Sequence, residues 1–230
     1  MSEKNGMSRR QFLGLTGGVL GAAALASMGM NINWKKNERE IDPDEMGYSE
    51  KDTDILVIGG GMTGLFAAVK GHDAGSEVLM VSKGRLGSSG QTPFAKGIMS
   101  YDPATAGMTL DEFTEKVSSS ALKTNNPVYT RQMAEHSKDR VRELREWGFF
   151  DSHLCYDSFN KPISERKIPV MERVMITHLI KEHGCIAGAA GFSIDEPVIH
   201  LFKAKSVILC TGAGGFKPNG FPICDLTHDG

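Results

Sequence analysis

The segment TDILVIGGGMTGLFAAVKGHDAGSEVLMVSK, Thr53 to Lys83, leaves this chain few folds to choose from. Ile55 to Ile58 are apolar without a break, as a strand buried on both faces of a parallel sheet requires. Gly59, Gly61 and Gly64 follow as G-x-G-x-x-G. The first glycine permits the turn, the second lets the backbone approach a pyrophosphate, and the third lets the next helix pack closely on the strand. The spacing predicts a helix from about Met62, whose first N–H groups, at Met62 and Thr63, and positive dipole end face the phosphates. Leu65, Phe66, Ala68 and Val69 supply its apolar face, Gly75 ends it, and Val78 to Val81 form a second strand. A lone G-x-G-x-x-G is a weak signal. Set between a strand, a helix and a second strand, it predicts a dinucleotide site.

One departure narrows the reading. An acidic residue normally closes the second strand and binds a ribose hydroxyl. Ser82 and Lys83 stand there instead. A serine hydroxyl can still bond a ribose, with less grip than a carboxylate.

The string VLMVSKGRLGSSGQTPFAKGI, Val78 to Ile98, resembles the flavoproteins of the fumarate reductase and succinate dehydrogenase family. Those proteins carry Ser-Lys at this strand end, then a Ser/Thr-rich loop and an Ala-x-Gly-Gly turn that wraps the flavin. Ser89, Gly90, Gln91 and Thr92 match the loop. Ala95 and Gly97 match the turn, with Lys96 replacing one glycine. In quinone-linked members a loop histidine bonds covalently to the flavin. Gly90 holds the matching position here, and no histidine lies between His72 and His136. The resemblance therefore implies FAD held without a covalent bond. A plain polar surface loop is the competing reading of this segment.

Further along, Thr109 and Glu112 form a capping box ahead of Leu110, Phe113 and Val117. Asn126-Pro127 opens a second helix, with Met133, Val141, Leu144 and Trp147 as its buried stripe and Gly148 as its stop. This stripe reads as scaffold. The stretch from Phe149 to Lys167 is shorter than in the family, which usually has another helix here. Three strand-like runs follow: residues 168–180, 185–192 and 198–212, separated by turns at Glu182-His183-Gly184 and Asp195-Glu196-Pro197. The last, apolar from Ser206 to Cys210, ends in TGAGGF and looks like the Ala-Thr-Gly element that closes a second contact with FAD. Thr211 and Gly212 carry that match, and Cys210 replaces the alanine. Val174 and Met175 match the strand whose backbone meets the adenine. The closing DLTHDG resembles Thr-Gly-Asp-Gly, with His228 for a glycine and Asp229 facing the flavin.

The expected fold is therefore α/β: a Rossmann-like FAD-binding domain over residues 53–230, with a parallel sheet, a helical insertion and a β-meander. The resemblance spans the first part of the family's length, so the C-terminal cap domain is expected to be absent from this truncated chain. The family's proton-delivering arginine belongs to that portion. No catalytic residue is assigned, since His136, His153, His178 and His200 fall on expected helices, loops or strand faces.

Before this body lie two other segments. Arg9 and Arg10 precede an apolar run, Leu13 to Met30, diluted by glycine and alanine. A membrane helix wants about 20 strongly apolar residues, which this run does not offer. Ser8-Arg9-Arg10 with Phe12-Leu13 looks like a twin-arginine export signal, and Ala24-Leu25-Ala26 offers a peptidase site. An ordinary N-terminal helix with a basic start is the alternative. Residues 1–30 are thus read as a signal for a route that carries folded, cofactor-loaded proteins to the periplasm. Half the residues from Asn31 to Asp52 are charged, which predicts a solvated tether.

Composition excludes several classes. A net charge of −2 leaves no electrostatic footprint for nucleic acid. Cys155, Cys185, Cys210 and Cys224 form no C-x-x-C pair and no haem or zinc site. Cys210, inside an apolar run, reads as a small buried hydrophobe. Three function classes stay open. The first is the N-terminal part of an exported FAD-dependent reductase acting on a small carboxylate. Its electrons would come from a partner or from the missing portion, and it would meet the membrane only through its signal or a partner. The second is another flavoenzyme of the same architecture, similar to aspartate oxidase or adenylylsulfate reductase. The third is a flavin-binding fragment without turnover.

Overall fold

The computed structural model describes residues 46–212, except 89, 95–96 and 152–154. The leader, the tether up to residue 45, Ser89, Ala95, Lys96, His153 and the DLTHDG close with Asp229 lie outside the described residues.

The apolar run before the glycine turn forms the end of β1 (Gly47–Ile58), and the turn leads into α1 (Met62–Asp73) and β2 (Val78–Val81). A single 3-10 turn at Thr92–Phe94 precedes α2 (Leu110–Ser120) and α3 (Pro127–Glu146). Then come α4 (Cys155–Glu165), β3 (Val170–Met171), β4 (Val174–Glu182), β5 (Cys185–Ser193) and β6 (Val198–Leu209). The strands form one sheet in the order β3-β2-β1-β6-β5-β4. β3, β2, β1 and β6 run parallel, while β6, β5 and β4 form the expected antiparallel meander. The β4–β5 turn is His183-Gly184, both at positive φ, as a two-residue hairpin demands.

Two apolar cores hold the layers. Val57, Val78 and Met80 pack with Leu65 and Val69 of α1, Leu144 of α3 and Phe159 of α4. Leu56, Ile58, Leu79 and Val81 pack with Val174, Ala189 and Phe202. Each fully buried Leu or Phe contributes roughly 1.5–3 kcal/mol, so the sheet is fixed from both sides.

The capping box at Thr109 is formed, with Thr109 Oγ1 accepting the Glu112 N–H and Glu112 accepting the Thr109 N–H. Asn126 caps α3 by accepting the Val128 N–H. The helix closes as expected at Gly148, where the Phe149 N–H returns to the Leu144 carbonyl at 2.9 Å.

Five expectations are corrected. Residues 47–52 are strand rather than tether, because Gly47 to Asp52 pair with Val198 to Lys203 of β6 and Glu50 forms an ion pair with Lys203. One of the charges that suggested a solvated linker, Glu50, is thus a cross-strand partner. A helix, α4, fills the stretch after Phe149, burying Phe159, Pro162 and Ile163 on one face. Pro162 obscures it, since proline disfavours helix interiors by removing an N–H. Met133 is exposed and off the packed stripe of α3, which uses Thr130, Ala134, Ser137 and Leu144. Small residues are needed there because Ser137 Oγ takes the Tyr101 N–H at 2.8 Å. The run 168–180 is broken into β3 and β4 at Arg173, whose φ is 61°. Finally, Ile208 and Leu209 are exposed although Cys210 is buried. β5 pairs only with the lower half of β6, Ile199 to Lys203, and leaves the upper half open on that side.

Candidate functional site

The glycine turn places a cleft of about 250 Å³ over the C-terminal ends of β1, β2 and β6. Ligands of doubly wound sheets bind outside these strand ends, where crossovers leave the sheet in opposite directions. The floor is Ile58 and Val81, and the walls come from the β2 loop, the 3-10 turn, β4 and the end of β6.

Sequence reading brings most of its candidates here. Gly59, Gly61, Met62 and Thr63 line one side, Ser82 and Lys83 the β2 end, and Gly90, Gln91 and Thr92 the loop. Val174 and Met175 enter from β4, and Thr211 and Gly212 from the end of β6. Gly64 does not line the cleft. It is buried beneath it, where a Cβ would overlap the carbonyl oxygen of Gly59 and stand 3.5 Å from Cys210 Cβ. That is the helix-on-strand packing the motif anticipates. Gly97 lies apart from the cleft, exposed, with open space around its Cα. Ser89 and Asp229 are outside the described residues.

The turn has no room for side chains. Gly59 has φ 118°, and a Cβ on it would overlap the carbonyl of Cys210. The Cys210 N–H in turn donates to Ile58 O at 2.7 Å, which locks the β6 end to β1. Gly61 is the N-cap of α1 and carries no capping side chain. The helix N–H groups therefore look for acceptors elsewhere. Thr92 Oγ1 takes the one at Met62, at 3.1 Å.

Gly60, Gly84, Ile58, Val81, Ile176 and Cys210 line the cleft without having been singled out as cofactor contacts. Gly60, the middle of three consecutive glycines, was legible as part of the turn. Ile176 and Gly84 carry no sequence signal, because only the curl of β4 and the β2 loop bring them in.

Lys83 brings positive charge to the rim. Burial pushes the Cys210 thiol up, so it stays protonated at neutral pH and behaves as a hydrophobe. Among the described residues lining the cleft there is no carboxylate, imidazole or guanidinium. The surface is suited to holding phosphates and a planar base.

Residues 54–163 match the family model described as the FAD binding domain. One subunit of the fumarate reductase (CoM/CoB) of Methanothermobacter marburgensis is 29% identical over 198 residues, 71% of this chain and 36% of the relative. The alpha subunit of the adenylylsulfate reductase of Megalodesulfovibrio gigas is 23% identical, over 78% of this chain and 34% of its own length. The structure of adenylylsulfate reductase from Archaeoglobus fulgidus superimposes with a TM-score of 0.62 at 27% identity, covering 74% of this chain and 32% of that one. A flavocytochrome c3 fumarate reductase in its open conformation gives 0.64 at 21% identity, covering 70% and 34%, and this likeness speaks for the fold alone. The chain spans about a third of the length of these relatives.

Proposed function

We propose that this chain, with its FAD-binding-domain match at residues 54–163, is the dinucleotide-holding part of an exported FAD-dependent oxidoreductase of the fumarate reductase type. The observation that carries the reading is the bare glycine turn at the start of α1, facing a cleft at three parallel strand ends.

The residues fit the adenosine diphosphate half of FAD. Gly59, Gly60 and Gly61 leave the backbone bare where a pyrophosphate needs to approach. The positive end of the α1 dipole lies at that turn, with the N–H groups after Met62, whose own N–H is taken by Thr92 Oγ1, to meet it. Ser82 and Lys83 stand at the ribose end, and the Val174–Met175 edge supplies a wall for the adenine. When bound, FAD supplies the two-electron chemistry that saturates or desaturates a C–C bond beside a carboxylate. The contribution of the described residues is to bind and orient the cofactor. The substrate clamps and the acid would come from elsewhere in the protein or a partner. Gly90 stands where the resemblance places a linking histidine, so the flavin is held without a covalent bond.

A second reading is favoured by the likeness to adenylylsulfate reductases in sequence and structure: turnover on adenylylsulfate, a mixed anhydride of sulfate and phosphate, rather than on a carboxylate. One experiment separates them. The purified protein is loaded with FAD, precipitated in acid, and the supernatant is scanned for flavin. Loaded protein is then assayed for reoxidation of reduced viologen by fumarate and by adenylylsulfate, alone and with candidate partners. Flavin in the supernatant and fumarate-dependent reoxidation support the first reading. Flavin retained in the pellet removes the non-covalent assignment, and a response to adenylylsulfate alone selects the second reading.

A further inference from the structure

The end of β2 is gripped by a short arch whose first residue is Glu172. The Ser82 N–H donates to Met171 O at 2.8 Å, and Ser82 O accepts the Val174 N–H at 3.1 Å. Both backbone groups of Ser82 therefore bond to residues flanking Glu172 and Arg173. Arg173 has φ 61°, a conformation disfavoured for residues with a Cβ. It is held there by a forked pair with Asp195, Nη2 to Oδ1 at 2.7 Å, and by the Ile194 N–H on its carbonyl at 2.8 Å. Backbone strain that the surroundings over-determine concentrates at functional sites.

The arch brings the Glu172 carboxylate to the loop leaving β2. Glu172 Oε1 accepts the Leu86 N–H at 2.8 Å. The next N–H, of Gly87, donates to Gly60 O at 3.1 Å. Gly60 is the middle residue of the glycine turn. A Cβ on it would meet Ser82 Oγ at 2.8 Å and Leu86 Cα at 3.5 Å, so the turn rests directly on this loop.

We infer that Glu172 is a positioning residue: through Leu86 and Gly87 it holds the glycine turn in the shape that admits a pyrophosphate. It is not among the cleft-lining residues, so it acts through the loop and not by touching a cofactor. This fold commonly carries a carboxylate at the end of the second strand, aimed at a ribose. Here the carboxylate comes from the end of β3 and is aimed at backbone. The flavin part of this inference rests on the function proposed above, and the backbone part does not.

The test compares the full chain with E172Q, E172D and E172A. Amide exchange at Leu86 and Gly87 is measured without flavin, and FAD affinity by quenching of FAD fluorescence. Glutamine keeps an acceptor oxygen at the same reach, aspartate withdraws it by about 1.5 Å, one C–C bond, and alanine removes it. E172Q is expected to keep exchange protection and to bind FAD within about twofold of the parent. E172D and E172A are expected to exchange both amides at least about tenfold faster and to bind FAD about tenfold more weakly. Unchanged protection in E172D and E172A overturns the inference, and so does equal loss in the glutamine and alanine variants. Should E172A fail to fold, E172D against E172Q makes the same comparison. Exchange that rises as expected while even the parent binds no FAD supports the hold on the loop and removes the flavin reading instead.

Discussion

Thr92 Oγ1 accepts the backbone N–H of Met62 at 3.1 Å, thirty positions back in the chain. The hydroxyl does for α1 what its own N-cap, Gly61, cannot, because glycine has no side chain to cap with. The contact ties the 3-10 turn at Thr92–Phe94 to the mouth of the cleft.

Thr92→Val keeps the shape and removes the acceptor. Loss of a capping oxygen costs typically about 1 kcal/mol, and a bound phosphate oxygen would replace it. The urea midpoint of Thr92→Val should therefore fall without ligand and recover much of the difference in saturating FAD. Thr92→Ser should behave as the parent. An unchanged midpoint for the valine variant would show that the bond contributes nothing.

Gly64 tests packing against propensity. Alanine is favoured over glycine inside a helix by about 1 kcal/mol, so local preference alone predicts a gain for Gly64→Ala. Its Cβ would overlap the Gly59 carbonyl, a backbone atom that cannot rotate away. Overpacking of this kind costs about 1–3 kcal/mol, and the displaced atom belongs to the glycine turn. The variant is expected to be less stable and to lose at least tenfold in FAD affinity, checked by denaturation and flavin fluorescence. A more stable variant with parental affinity would refute the close-approach account.

His200 gives a pH dependence with a definite sign. It is buried on β6, stacked on Phe202 at 5.9 Å, with no hydrogen-bond partner for Nδ1 among the described residues. Burial, and then the positive charge of Lys51, hold its pKa below the ordinary value, against a weaker opposing pull from Glu196. The unfolded chain therefore binds a proton that the folded one resists. This contribution is fully present above about pH 6.5 and is lost as pH falls from there toward the folded value. His200→Phe should flatten the stability profile in that window while leaving the steeper acid loss below it. Identical slopes in both proteins would exclude His200 as the group responsible.

Arg9 and Arg10 precede a weakly apolar run, and export through the twin-arginine route would depend on both. Replacing both with lysine keeps the charge and is expected to hold the precursor in the cytoplasm. Cell fractionation reads this directly, and an undiminished periplasmic pool in the double variant would end the proposal.

The glycine turn, its flanking strands and helix, the capping box at Thr109 and the helix start at Asn126 were legible in the sequence. Each is set by neighbours a few positions away, through hydrogen-bond geometry, steric room or an apolar period. The candidate cleft was largely legible for the same reason, because Gly59 to Thr63, Ser82-Lys83 and Gly90 to Thr92 are contiguous motifs. What the tertiary structure alone decided depends on residues far apart in the chain. The charge of Glu50 reads as solvated until β6 lays Lys203 beside it. Pro162 argues against a helix until the buried face of α4 outweighs the one lost N–H. Glu172 is an ordinary glutamate in an apolar run until the left-handed turn at Arg173 brings it to Leu86. Local pattern reports what a segment can form. Which charges meet, which strand breaks and which side chain steadies the glycine turn follow only when the sheet brings distant segments within hydrogen-bonding range.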